Sequence, residues 1–179
     1  MRTFVAAEIN SNEVLNSIKK FQVEFEIKAK PVSLNNIHFT LLFLGEISEY
    51  MSEKIQDTLN SIKFEAFDVK FQGVGAFPKP SFPRVIWVGT DKAGGENLKK
   101  LALQIEGALS TLGFRSDKPF RPHVTIFRIK NKIGNISDKL KRYSSVEFGS
   151  QRISEIKFKQ STLTPSGPNY SDLQVIKAK

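Results

Sequence analysis

Apolar and polar positions change period several times along this chain, and each change predicts an element. Residues 2–9 are a near-continuous apolar run with the length of a buried strand. Val14, Ile18, Phe21 and Phe25 then recur at helical spacing, which predicts a helix over 11–25, opened by a capping box of Asn10 and Glu13. Lys28-Ala29-Lys30-Pro31 closes it. Residues 37–44 read as a strand ending at Gly45, and Met51, Ile55, Leu59 and Ile62 mark a helix over 48–62. Residues 64–72 alternate around Phe67, Val69 and Phe71 as a strand does. The stretch 73–83, with two glycines and three prolines, reads as a structural loop, and its glycine spacing does not match a phosphate-cradling P-loop.

A strand over 84–90 carries the only tryptophan, Trp87. Leu98, Leu101, Ile105, Leu109 and Leu112 predict an amphipathic helix stopped by Gly113. Pro119 and Pro122 hold the lead-in 114–121 extended, because a residue before proline avoids the helical region. A second strand follows it, then a short basic helix near 135–143. A long strand or bent pair over 146–163, the turn Thr164–Pro168 and a last strand at 170–177 complete the chain. The order strand, helix, strand, helix, strand thus occurs twice. This predicts a single domain over 1–179 with repeat halves of roughly 1–83 and 84–179.

With 179 residues, 40% of them apolar and 15 phenylalanines, the chain has material for one packed domain or two small lobes sharing a core. It holds no cysteine, which excludes disulfides and thiolate metal sites. No apolar run approaches the ~18 residues of a spanning helix, and residues 1–9 do not resemble a signal peptide, so a cytoplasmic location away from membranes is expected. The net charge of +9 favours a polyanionic partner, nucleic acid first.

The candidate chemistry lies in two matching segments. Ile37-His38-Phe39-Thr40-Leu41 and Pro122-His123-Val124-Thr125-Ile126 each hold His, an apolar residue, Thr and another apolar residue, and they contain the only two histidines of the chain. In a strand, His and the Thr two places on point the same way. Each segment therefore offers an imidazole beside a hydroxyl, and two such pairs facing each other suit acid–base chemistry on a phosphate ester. Two histidines without a cysteine or a carboxylate at ligand spacing make a poor zinc site.

On this doubled motif, on the opening Arg2-Thr3-Phe4-Val5-Ala6, on His38–Gly45, on Phe120–Arg128 and on the closing strands after Ser161-Thr162-Leu163, the chain resembles the 2H phosphoesterase superfamily. Within it, the chain is most similar to the bacterial and archaeal RNA 2′,3′-cyclic phosphodiesterases, also called 2′-5′ RNA ligases. The resemblance covers essentially the whole chain. It implies a bilobal α+β fold, with two curved antiparallel sheets around a central groove and helices outside. It also implies hydrolysis of RNA 2′,3′-cyclic phosphate ends to 2′-phosphates, with no metal or cofactor and no obligate protein partner. A monomer is expected. In this reading His38 and His123 are catalytic, with His123 as base and His38 as acid, while Thr40 and Thr125 hold the non-bridging oxygens.

The resemblance further implies that Arg128 binds the phosphate and that Phe43 stacks on the nucleobase. Each lies five positions after its histidine. An odd offset in an unbroken strand points to the opposite face, so Arg128 reaches the site only if its strand ends or bulges near Phe127. The plainer alternatives are a solvated charge for Arg128 and a core aromatic for Phe43. Phe127, where many relatives carry a small residue, is expected to narrow the groove floor. Lys118, Arg121, Lys130, Lys132, Lys139, Lys141 and Arg142 are further candidates for tracking an RNA backbone. Two other functions stay open at this point: action on 2′-5′ linkages as ligase or phosphodiesterase, and RNA or nucleotide binding without turnover.

Overall fold

The computed structural model describes residues 1–179. Along the chain run β1 (Arg2–Glu8), α1 (Asn12–Glu24), β2 (Lys30–Pro31), β3 (His38–Glu46), α2 (Glu49–Asn60), β4 (Phe67–Lys79), β5 (Phe82–Thr90) and α3 (Lys92–Leu109). They are followed by β6 (Val124–Arg128), α4 (Ser137–Lys141), β7 (Glu147–Ile153), β8 (Glu155–Thr164) and β9 (Gly167–Lys177). The strands form two antiparallel sheets, one ordered β3-β1-β8-β9 and the other β2-β6-β5-β4-β7. Each sheet draws strands from early and late parts of the chain. The stretch 146–163 is the bent pair: β7 lies in the second sheet, β8 in the first, and the chain crosses between them at Ser154.

Helix α1 packs on β6 and β7, and α3 lies against both β3 and β4, joining the two sheets from outside. The helices bury the apolar stripes that the periodicity marks: Val14, Ile18 and Phe21 of α1, Ile55 and Leu59 of α2, and Leu98, Leu101, Ile105 and Leu109 of α3. Val5 of β1 and Phe39, Leu41 and Leu42 of β3 are buried in the same apolar core. The fold is the α+β arrangement of two antiparallel sheets that the resemblance implies.

Two local expectations need correction. The N-cap of α1 is Ser11, whose side chain accepts the Val14 N–H, so Asn10 and Glu13 do not form a capping box. Asn10 instead donates its backbone N–H to Gln151 Oε1 at 2.8 Å. The loop expected at 73–83 is mostly strand. β4 continues to Lys79 and pairs with β5 through register shifts at Gln72/Val74 and Phe77/Pro78, leaving only residues 80–81 as the turn. Glycine and proline signalled a turn here, but the bulges absorb them.

Gly75 has a packing reason to be glycine, since it faces Trp87 across the strand pair. A Cβ built on it would lie 2.2 Å from Trp87 Cζ2. Gly75→Ala is therefore expected to cost about 1–3 kcal/mol, as overpacking does. Denaturant titration measures the loss, and the fluorescence of Trp87, the only tryptophan, should shift because the indole must move.

Candidate active site

One distortion, made twice, builds the site. In β3 the pairing with β1 skips a residue between Val5↔Leu42 and Ala6↔Thr40, so Leu41 is an extra residue. Leu41 and Leu42 consequently both face the core. The face then resumes in phase, with His38, Thr40 and Phe43 opposite Glu8, Ala6 and Phe4. In β6 the pairing with β5 jumps from Trp87↔Thr125 to Ile86↔Phe127, so Ile126 is extra and Ile126 and Phe127 are both buried. Arg128, opposite Val85, joins the face of Thr125, opposite Trp87. Both odd offsets are resolved by bulges, which put two residues against one and re-aim the next side chain. Phe127, expected to narrow the groove floor, is turned into the core against Phe25.

The β6 bulge is held from behind. Gln22, at 9% exposure in the apolar stripe of α1, donates its side-chain amide to Ile126 O at 2.9 Å and Val32 O at 3.0 Å. Val32 N–H donates to the same Ile126 carbonyl at 2.9 Å. The Val32 bond continues the β2–β6 register, and Gln22 gives the buried carbonyl a second partner.

The two imidazoles are anchored alike. His38 Nδ1 lies 2.8 Å from Asn36 O, and His123 Nδ1 lies 2.7 Å from Arg121 O. A carbonyl only accepts, so each Nδ1 carries the proton and each Nε2 presents a lone pair. His38 Nε2 is 3.0 Å from Thr40 Oγ1. Phe4 stacks on the His38 ring at 5.0 Å and Tyr170 meets it edge-on at 5.4 Å. His123 is backed edge-on by Phe77 at 4.9 Å. Burial pushes the His38 imidazole down from 6.5 to about 4; the Asn36 carbonyl and Glu8 oppose this, and Lys159 and Arg128 add to it. Burial, with the charge of Arg121, also holds His123 below its ordinary value against the pull of the Arg121 carbonyl. In the free protein at neutral pH both imidazoles are thus neutral, rather than one carrying a proton as the simplest acid–base scheme supposes.

Two cavities meet at these residues. One, of about 640 Å³, is lined by His38, Thr40, His123, Thr125 and Arg128, together with Lys30, Lys130, Asn36, Asn169 and Tyr170. The other, of about 990 Å³, shares Thr40 and His123 and extends past Phe43, Phe77, Arg84, Lys118 and Arg121. Phe43 is 51% exposed, so it is not a core aromatic. Among the basic candidates, Lys118, Arg121 and Lys130 reach the cavity walls. Lys132, Lys139, Lys141 and Arg142 do not line either cavity; Lys139 sits over Phe25 and donates to Glu26 O, and Lys141 pairs with Asp138.

Beside His38 lies an ionic quartet that the sequence reading missed. Lys157 Nζ is 2.9 Å from both Glu8 Oε2 and Asp172 Oδ2, and Lys159 Nζ contacts Glu8 and Asp172, the latter at 2.6 Å. Lys159 is only 5% exposed. Burial alone would raise the Glu8 and Asp172 carboxyls, but hydrogen bonds from Lys159 and Lys157 and their charges hold both below the usual range. The same partners hold Lys157 charged, its amine raised against the effect of burial. Lys157 and Lys159, alternating with Ile156 and Phe158 in β8, were the available signal.

Two antiparallel sheets, each bringing a His-apolar-Thr-apolar segment to one groove, define a 2H phosphoesterase. Residues 3–177 match the family described as the AKAP7 2′5′ RNA ligase-like domain, and the chain belongs to that family. An Archaeoglobus fulgidus protein named RNA 2′,3′-cyclic phosphodiesterase is 40% identical over 177 residues, covering 98% of this chain and 99% of that one. The Methanocaldococcus jannaschii protein of the same name is 38% identical and covers 95% of this chain and 96% of its own. The crystal structure of TT0787 from Thermus thermophilus superposes with a TM-score of 0.80 at 28% identity, covering 99% of this chain and 97% of the other.

Gln22→Leu should cost about 1–3 kcal/mol by leaving the Val32 carbonyl unpaired and thinning the support of Ile126, measurable by denaturant unfolding. The unfolded chain protonates His38 near pH 6.5 and the folded chain only near pH 4. Between those values the unfolded state binds more protons, so stability is lost as pH falls through the window. Unfolding titrations from pH 7 to 4.5 should show this slope, and His38→Asn should reduce it.

Proposed function

We propose that this protein hydrolyses RNA 2′,3′-cyclic phosphate ends to 2′-phosphates by two-histidine acid–base catalysis without a metal. The observation that carries the reading is the pair of Nδ1-anchored imidazoles lining one cavity beside two threonine hydroxyls and Arg128, with Thr40 Oγ1 3.0 Å from His38 Nε2. The names of the relatives, over nearly the full chain, support the substrate class. Residues 1–179 act as one domain whose repeats, roughly 1–83 and 84–179, each supply one motif; the matching bulges support this. The protein works as a cytoplasmic monomer with no obligate protein partner, and no helix is long and apolar enough to cross a membrane.

In the reaction, His123 Nε2 takes a proton from water as the water oxygen attacks phosphorus. The P–O3′ bond breaks, and His38 Nε2 gives its proton to O3′, leaving a 2′-phosphate and a free 3′-hydroxyl. His38 receives that proton when the anionic phosphodiester enters, since a nearby negative charge favours imidazolium. A group with an intrinsically low pKa then releases the proton readily to the leaving oxygen. Thr40, Thr125 and Arg128 meet the charge that builds on the non-bridging oxygens, and Phe43 takes the terminal base.

Incubation with a nucleoside 2′,3′-cyclic phosphate in excess EDTA, followed by phosphorus NMR, tests the reading. The 2′-phosphomonoester should appear. His38→Ala and His123→Ala should each lower kcat by about 10²–10⁴-fold. Wild-type turnover in either variant would end the two-histidine mechanism. A wild-type protein that leaves cyclic ends intact yet cleaves or joins 2′-5′ linkages, or binds RNA without turnover, would select one of the other two functions.

A further inference from the structure

We propose that the larger cavity binds the RNA chain on the 5′ side of the reacting end, with Arg84 and Arg121 holding the phosphate that joins the last two nucleotides. This rests on the phosphodiesterase reading and extends it from the reacting phosphate to a second one. Thr40 and His123 line both cavities, so they form the neck between them. A phosphorus held between the histidines therefore has the larger cavity to one side. At about 990 Å³ that cavity lies at the top of the range for small-molecule sites, more than a terminal nucleoside fills. Phe43 stands half exposed in its wall, with the Arg2 guanidinium 5.0 Å from its ring, which suits a stacked base.

The two arginines are free and pre-positioned. Arg121 lies 5.6 Å over the Phe77 ring, and Arg84 lies 4.9 Å over the Phe82 ring while donating from Nη1 to Lys130 O at 3.2 Å. Neither pairs with a carboxylate. An arginine resting on an aromatic face is already ordered, so less freedom is lost when it captures an oxyanion. The wall also holds Glu106 and Asp117; Glu106 is occupied in accepting the Ser116 N–H at 2.8 Å. A cyclic mononucleotide with a free 5′-hydroxyl would leave both arginines without an anion. A nucleotide carrying a phosphate on O5′ would supply one.

The test compares kcat/KM for three substrates: a nucleoside 2′,3′-cyclic phosphate with a free 5′-hydroxyl, the same compound with a 5′-phosphate, and a dinucleotide ending in the cyclic phosphate. The wild-type protein should favour the second and third by roughly 10–100-fold, the scale of charge-assisted hydrogen bonds. Added salt should lower the kcat/KM of these two more steeply than that of the first. The preference should fall toward unity in Arg84→Gln/Arg121→Gln, and Arg121→Lys, which retains the charge, should keep part of it. Equal kcat/KM for all three on the wild-type protein, or an undiminished preference in the folded double variant, would overturn the assignment. If the wild-type protein turns over none of the three, the phosphodiesterase reading fails. The subsite is then judged by calorimetry with a nucleoside 2′,3′-cyclic phosphate bearing or lacking a 5′-phosphate, and equal affinities would overturn it as well.

Discussion

The site depends on a pair of β-bulges. A regular strand carries two faces in strict alternation, and a side chain five places from a groove-facing histidine belongs to the core. Inserting Leu41 in β3 and Ile126 in β6 reverses that alternation after the threonine. The core gains two successive apolar residues on each strand, and the groove gains Phe43 and Arg128. The bulge is thus a packing event and a functional event at once. Its apolar cost is offset because Leu41, Leu42, Ile126 and Phe127 are all nearly fully buried. Its hydrogen-bonding cost on β6 is met by Gln22 and Val32. A glutamine in the buried stripe of α1 is otherwise hard to account for.

Electrostatics around the groove follow from the same layout. The net charge of +9 is not spread evenly. Where lysines enter the buried floor of the first sheet, Glu8 and Asp172 neutralise them in an alternating quartet, as buried charge requires. Where the groove is open, Arg84, Arg121 and Arg128 are left without carboxylate partners. An anion entering there meets unspent positive charge and two neutral imidazoles. In the proposed reaction its own charge supplies the bias that protonates one of them, so the acid is created by the ligand instead of standing ready in the empty groove.

Much of this was legible in the chain itself. The period-two spacing of His38 with Thr40 and of His123 with Thr125 needs only a strand to become a shared face, and the helical stripes of α1, α2 and α3 bury the residues their spacing selects. What was not legible depended on pairing between distant segments. The register shifts are set by β1 and β5, so nothing local to β3 or β6 declares them, although doubled apolar residues at the same offset from each histidine were a hint. Gly75 and the prolines of 73–83 read as turn because local propensity was weighed without the cross-strand Trp87 that Gly75 admits. The quartet joins residues from β1, β8 and β9 and has no sequence-local signature beyond two lysines in an apolar strand. Phe127 was assigned to the groove on the resemblance, as a position where many relatives carry a small residue, and the bulge at Ile126 turns it into the core.

The matching bulges also give the groove a direction. By backbone position Phe43 and Arg128 are equivalents, each the first groove-facing residue after an extra one. Chemically they are opposites, a half-exposed aromatic face and an unpaired guanidinium. Two further unpaired arginines, Arg84 and Arg121, lie on the Phe43 side, in the larger cavity, while Arg128 sits with both imidazoles in the smaller one. A symmetric groove would accept a phosphodiester in either orientation and scramble the two proton-transfer roles. In the proposed complex, with Phe43, Arg84 and Arg121 on one side of the neck and Arg128 beside the imidazoles on the other, only one orientation satisfies both the base and the phosphates. In the proposed reaction this asymmetry, together with the burial that makes His38 a weak base, decides which imidazole faces water and which faces the leaving oxygen.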